Sequence, residues 1–183
     1  MMLFWRHGYD GTSMAQLTSA MGVAAPSLYA AFGSKLELYR EALALYVRTL
    51  GEIGVASLVD AATARDGVQA VLRAAATAFT RRGMPPGCMV GVGALRCAEG
   101  NEVAEHATAT LRQLSYDAVY ARLQRAGREG ELPGSSPRAL ADLYAAIVEG
   151  MSVLARDGAP RARLLALADL AMAAWPTMPH GSG

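Results

Sequence analysis

The side chains of this 183-residue chain best equipped for chemistry are few: Cys88, Cys97, His7, His106 and the acids Glu102 and Glu105. Thiolate, imidazole and carboxylate together would hold a metal ion, and a thiol beside a base would make a nucleophile. Cys88 and Cys97 stand nine residues apart, which on a helix of about 3.6 residues per turn leaves them half a turn out of phase, so one helix does not aim both at a shared ion. Neither His7 nor His106 has a second ligand at metal-binding spacing. Glu102, Glu105 and His106 read more simply as the acidic start of a helix, where the macrodipole favours negative charge. No phosphate-cradling glycine loop and no nucleophile elbow is present. A thiol sensor at Cys88 would need a cation to lower its pKa, and only Arg96 is close in sequence. The expectation is a protein without catalysis, cofactor or metal.

A second set of residues suits phosphate. Thr12 or Ser13 is placed to cap a helix from Met14 to Met21, and Gly22 supplies the positive φ that ends it. Pro26 then sits in the first turn of another short helix that ends near Ala31. Such helices are marginal alone and need a shared core, for which Leu17, Met21, Val23, Leu28 and Phe32 are available with Phe4 and Tyr9. This is the pattern of a helix-turn-helix, whose second helix enters the DNA major groove. On that reading Ala24, Ala25, Pro26 and Ser27 keep the helix start slim enough to approach the duplex. Tyr29 and Lys35 reach phosphates, and Thr12, Ser13 and Met14 offer a helix N-terminus as a second anchor. A lone Tyr packs and a lone Lys caps more often than either binds a ligand; the spacing reverses those odds.

The elements that must position these residues are helical throughout. Ala, Leu, Arg and Met crowd the segments and no alternating β pattern occurs, so the fold class is all-α. At 52% hydrophobic and 18% charged the chain is suited to a sizeable core. Leu36 to Leu50 predicts one long helix running to Gly51 or Gly54. Val68 to Arg82 predicts another with Asp66 as its cap, and Cys88 to Ala98 a shorter apolar one. The longest runs from near Asn101 to Arg128 on a ladder of Val103, Ala107, Leu111, Leu114, Ala118 and Leu123. Pro137 opens a helix carrying Leu140 to Leu154, and Pro160 opens its antiparallel neighbour, which Pro176 stops. No apolar run spans a membrane, Met1 to His7 does not read as a signal peptide, and two thiols suit a reducing cytoplasm.

Leu3-Phe4, Gly8-Tyr9, Thr12-Ser13-Met14, Gly22-Val23, Ser27-Leu28-Tyr29, Phe32, Ser34-Lys35 and Leu38-Tyr39 together resemble the DNA-binding domain of the TetR/AcrR family of transcriptional regulators. The resemblance implies an N-terminal helix-turn-helix domain over 1–46, a ligand-binding and dimerisation domain over 47–175, and a flexible tail over 176–183. It also implies a first helix that begins before Met1 and brings basic residues. In the family the central helices enclose a small-molecule pocket, which here points to Phe79, Met89, Val92, Leu95, Leu111, Tyr120, Tyr144 and Met151, although each of these taken alone is more often core. The glycines at 87, 91 and 93 in that region signal either close helix packing or a void beside the helix. The last two helices close a homodimer in the family, pointing to Leu140, Leu143, Ile147, Leu154, Leu164, Leu167, Leu170, Ala171 and Trp175.

The resulting expectation is a cytoplasmic homodimer that binds a palindromic double-stranded operator and is released by a small, largely apolar effector, with the helix from Lys35 as the lever. The alternative is a helical dimer that has kept the fold and lost DNA binding. Charge bears on this choice. The net charge is +1, and residues 1–50 hold that surplus, with Arg6, Lys35, Arg40 and Arg48 against Asp10, Glu37 and Glu41. So small a surplus cannot drive binding by counterion release, and phosphate contacts must come from helix N-termini, hydroxyls and dimerisation.

Overall fold

The computed structural model describes residues 1–51 and 53–176, and the regular elements among them are all helical. Helix α1 (Met2–His7) buries Phe4 and Trp5. Phe4 and Tyr9 each meet the Tyr39 ring at 5.0 Å, and Trp5 meets Tyr46 edge-on at 4.9 Å, which clamps α1 onto α4 (Lys35–Tyr46). Between them α2 (Met14–Met21) and α3 (Ala25–Phe32) form the expected pair. Of the residues assigned to their shared core, Leu17 and Leu28 are buried, whereas Met21 and Val23 lie exposed at the turn.

The long helix predicted from Lys35 is interrupted. Its α-helical part ends at Tyr46, a π-helical turn covers Val47–Gly51, and α5 (Ile53–Asp60) follows. In that turn Thr49 ties its hydroxyl to the Leu45 carbonyl at 2.7 Å, and the wider winding changes which face continues toward the core. Helix α6 (Ala64–Phe79) starts earlier than predicted because Thr63, not Asp66, is its cap: the Thr63 hydroxyl accepts from the Asp66 N–H. The apolar element predicted over 88–98 contracts to one turn, α7 (Met89–Val92), since the following chain leaves the helix to meet α1.

Helix α8 (Glu102–Arg128) is the 27-residue element expected, but its first half is rotated by one residue. Ala104 and Thr108 are buried and Val103 and Leu114 are not. On this face the Thr108 hydroxyl lies 3.0 Å from the Ala94 carbonyl and 2.9 Å from the Glu105 carbonyl of its own helix. Helices α9 (Pro137–Arg156) and α10 (Arg161–Ala173) pack as antiparallel neighbours, with Ser136 capping α9. One core joins α5, α6, α9 and α10 with the C-terminal half of α8. The other joins α1–α4 and is completed from outside by Met89, Val90, Ala94 and Ala104. Among the described residues no helix is long and apolar enough to cross a membrane. The tail assigned to 176–183 lies outside the described residues from 177 onward.

Candidate DNA-reading surface and ligand cavity

Helix α3 is held down by Leu28, while Ala24, Ala25, Pro26, Ser27, Tyr29, Ala30 and Ala31 are all exposed. An eight-residue helix whose outer surface is small side chains and one phenol has room to lie in a groove. Its orientation is fixed by the turn before it. Ser13 caps α2 by accepting from the Gln16 N–H at 3.2 Å, and Gln16 Oε1 accepts from the Ser13 N–H at 2.7 Å. Gly22 closes α2 at φ 66, a left-handed conformation that suits glycine. With the Ser13 side chain engaged, the N–H groups of Met14 and Ala15 remain as the outward donors of α2.

Two of the residues expected at DNA are otherwise engaged. Thr12 is fully buried and its hydroxyl donates to the Gly8 carbonyl at 2.7 Å, so it locks the turn before α2 instead of facing outward. Lys35 places its ammonium 4.3 Å from the centre of the Tyr9 ring, a cation–π contact, and partial burial lowers its pKa against the opposing pull of Asp10. Tyr29 stays open, 47% exposed.

Between α4–α6 and α8–α9 lies a cavity of about 570 Å³. Phe79, Leu111 and Tyr144 line it as predicted. The other five expected ligand residues do not. Met89 fills the N-terminal core, Met151 fills the C-terminal core, and Leu95 points to solvent. Tyr120 stacks on Tyr116 at 6.0 Å under Arg138, and Val92 sits off the cavity wall. The residues that reasoning from sequence missed include polar ones of the wall: Tyr46, Cys88, Arg112, Ser115 and Glu149. Glu149 was findable, since with Ala145, Val148 and Ser152 it marks a stripe at helical spacing that an acid interrupts.

Gly87 and Gly93 answer to close approach, Gly87 also to a left-handed φ of 78, while Gly91 lines the cavity beside Glu149. A Cβ at Gly87 would lie 2.7 Å from the Ser152 carbonyl oxygen, one at Gly93 would lie 2.9 Å from the Tyr39 hydroxyl, and one at Gly91 would lie 2.6 Å from Glu149 Oε2. This segment is also hydrogen-bonded to α1 and its following turn. Trp5 Nε1 donates to the Gly87 carbonyl at 3.1 Å, the Tyr9 N–H to the Gly93 carbonyl at 2.9 Å, and the Ala98 N–H to Asp10 Oδ2 at 2.6 Å. Tyr46, the last residue of α4, donates its hydroxyl to Cys88 Sγ at 3.4 Å. Burial pushes the Cys88 thiol up, against a thiolate at neutral pH, despite the hydrogen bond from Tyr46.

The acids at the start of α8 serve the loop before it. Glu105 accepts from the Cys97 N–H and Glu102 from the Gly100 N–H. Among the described residues no group of three His, Cys, Asp or Glu side chains could hold a metal.

The residues proposed for a dimer divide into two sets. Leu140, Leu164, Ala171 and Trp175 are buried in the protomer's own core. Leu143 and Leu170 are exposed, and Ile147, Leu154 and Leu167 are half-buried beside them.

Residues 1–42 match the family model "Bacterial regulatory proteins, tetR family". Over 182 residues the chain is 30% identical to the HTH-type transcriptional repressor ComR of Escherichia coli (strain K12), covering 97% of this chain and 86% of that protein. It is likewise 30% identical over 172 residues to the repressor BdcR of the same organism, covering 93% and 82%. Among solved structures it superimposes with a TM-score of 0.91 on a cysteine mutant of the TetR family regulator CifR complexed with 26bp double-strand operator DNA. That pair is 40% identical, with 96% of this chain and 92% of the other covered.

Proposed function

The chain belongs to the tetR family of bacterial regulatory proteins, and from that premise we propose that it is a cytoplasmic, homodimeric repressor released from a palindromic operator by a small, largely apolar molecule. In this reading residues 1–46 contact DNA, through the α2 N-terminus at Ser13 and Met14, the face Ala24 to Ser27, and Tyr29, with Lys35 reaching a phosphate only by leaving the Tyr9 ring. Residues 47–175 hold the effector and the partner protomer. Two copies of α3 enter successive major grooves, about 34–36 Å apart.

The observation that carries the proposal is the double use of residues 87–98. Cys88, Val90 and Gly91 line the cavity, while Gly87, Gly93 and Ala98 hydrogen-bond α1 and the turn after it. A molecule that fits the cavity in only one placement of this segment favours that placement, and α1 goes with it. The effector then acts through its differential affinity for two states. The π-helical turn makes α4 a lever only as far as Tyr46, so the shorter route through 87–98 carries the coupling.

The test is fluorescence anisotropy with duplexes from the DNA flanking the protein's own gene, for wild type and Tyr29→Ala. The wild type is expected to bind one palindromic duplex, more weakly as salt rises, and Tyr29→Ala to lose affinity with an unchanged melting temperature. Failure of the wild type to bind any such duplex at low salt would falsify the reading and favour a dimer without DNA binding.

A further inference from the structure

The polar groups of the cavity wall are unequally engaged, and the inequality points to a class of ligand. The hydroxyl donors are spent within the protein. Tyr46 donates to Cys88, Tyr116 to Asp142 at 2.8 Å, Tyr144 to the Ala171 carbonyl at 3.4 Å, and Ser115 to the Leu111 carbonyl at 3.2 Å. The Arg112 guanidinium commits one nitrogen, Nη1, to the Val90 carbonyl at 3.0 Å. Glu149 is different. Its carboxylate lines the same cavity, and no hydrogen bond or ion pair within 4.0 Å joins it to Arg112 or to another described residue. Burial holds it above the ordinary carboxylate range, with Arg112 opposing from a distance.

The acid lies against the backbone at Gly91. Gly91 adopts ordinary helical geometry, so its left-handed freedom is not what the position uses. A Cβ there would occupy the space of Glu149 Oε2, at 2.6 Å, and would touch Cys88 Cβ at 3.3 Å. A carboxylate in an apolar wall costs stability unless something pairs with it. Here Arg112 opposes the charge only from a distance, and no described side chain bonds to the carboxylate directly.

We propose that Glu149 is the recognition residue of the cavity and that the effector is an apolar molecule bearing a hydrogen-bond donor, with a cationic nitrogen favoured over a hydroxyl and both over an anion. The proposal rests on the cavity being the effector site, and its test separates the two ideas. Isothermal titration would compare octylammonium, octanol and octanoate, which share one apolar chain, on wild type, Glu149→Gln and Glu149→Ala. Operator affinity with and without each compound would be measured in parallel, and circular dichroism would check each variant's fold.

Octylammonium is expected to bind wild type about tenfold more tightly than octanoate, the scale of one charge-assisted hydrogen bond. Glu149→Gln should erase that preference while keeping octanol binding, and Glu149→Ala should weaken both octylammonium and octanol. Octanoate binding as well as octylammonium, an unchanged preference in Glu149→Gln, or no binding by any of the three would overturn the assignment. Glu149-dependent binding that leaves operator affinity untouched would uphold the assignment and count against the cavity as the effector site.

Discussion

Arg122 is buried near the C-terminal end of α8, and both of its terminal nitrogens lie 3.2 Å from Glu131 Oε1. Glu131 Oε2 in turn accepts from the Ala64 N–H at 2.6 Å, at the open start of α6. One carboxylate therefore neutralises a buried cation and satisfies a helix terminus 67 residues away in sequence. Removing one member of such a pair strands the other charge, which costs far more than the intact pair contributes. Glu131→Gln keeps an acceptor for Ala64 and loses the charge opposite Arg122, so urea unfolding should show a loss of about 3 kcal/mol. Adding Arg122→Met removes the stranded charge and should recover most of that loss. If the single variant is as stable as wild type, the pair is already solvated and its role is not structural.

At the level of elements, the reading surface depends on two local devices that propagate to DNA. Ser13→Ala removes half of the capping box and should cost about 1 kcal/mol. Gly22→Ala puts a Cβ on a residue at φ 66 and should cost about 1–2 kcal/mol. Both should weaken operator binding beyond the stability loss, because α3 is set by the turn that these residues hold; chemical denaturation alongside anisotropy separates the two effects. Intact operator affinity in a folded Gly22→Ala protein would mean that α3 is positioned by its packing on α4 alone. These devices were legible in the sequence because helix punctuation is local: Thr12 or Ser13, Gly22 and Pro26 mark their ends unaided, and Ser13 is the one that caps. The break in the helix at Val47–Gly51 was not, since the apolar spacing continues through it and only tertiary packing selects the wider turn. The cavity was half legible for a similar reason. Periodicity marks Met89 and Met151 as inward-facing, yet which of two cores and one void they face depends on the rotation of α7 and α9, which packing between elements distant in sequence decides.

For the whole molecule, the outer face of α9 and α10 decides whether two reading helices act together. Leu143, Ala146, Gly150 and Val153 recur at helical spacing on α9 and are exposed, as are Ala166, Leu170 and Ala173 on α10, with Leu170 70% open. A contiguous small and apolar stripe of this kind marks a partner face. Gly150 sharpens the argument. A glycine inside a helix costs about 1 kcal/mol against alanine, and a Cβ at Gly150 would meet nothing within 4 Å in its own protomer. A crossing helix of a second copy supplies the reason for its absence. Gly150→Leu should therefore leave the protomer's helicity and folding intact and shift the protein to monomer in sedimentation velocity; Leu170→Glu should do the same by desolvating a charge. Operator affinity should collapse in both, because residues 1–50 carry a surplus of one positive charge and a single protomer releases few counterions. The second half-site, bound at high effective concentration through the dimer, supplies the missing free energy. A Gly150→Leu protein that remains dimeric and binds operator like wild type would place the dimer face elsewhere on the molecule.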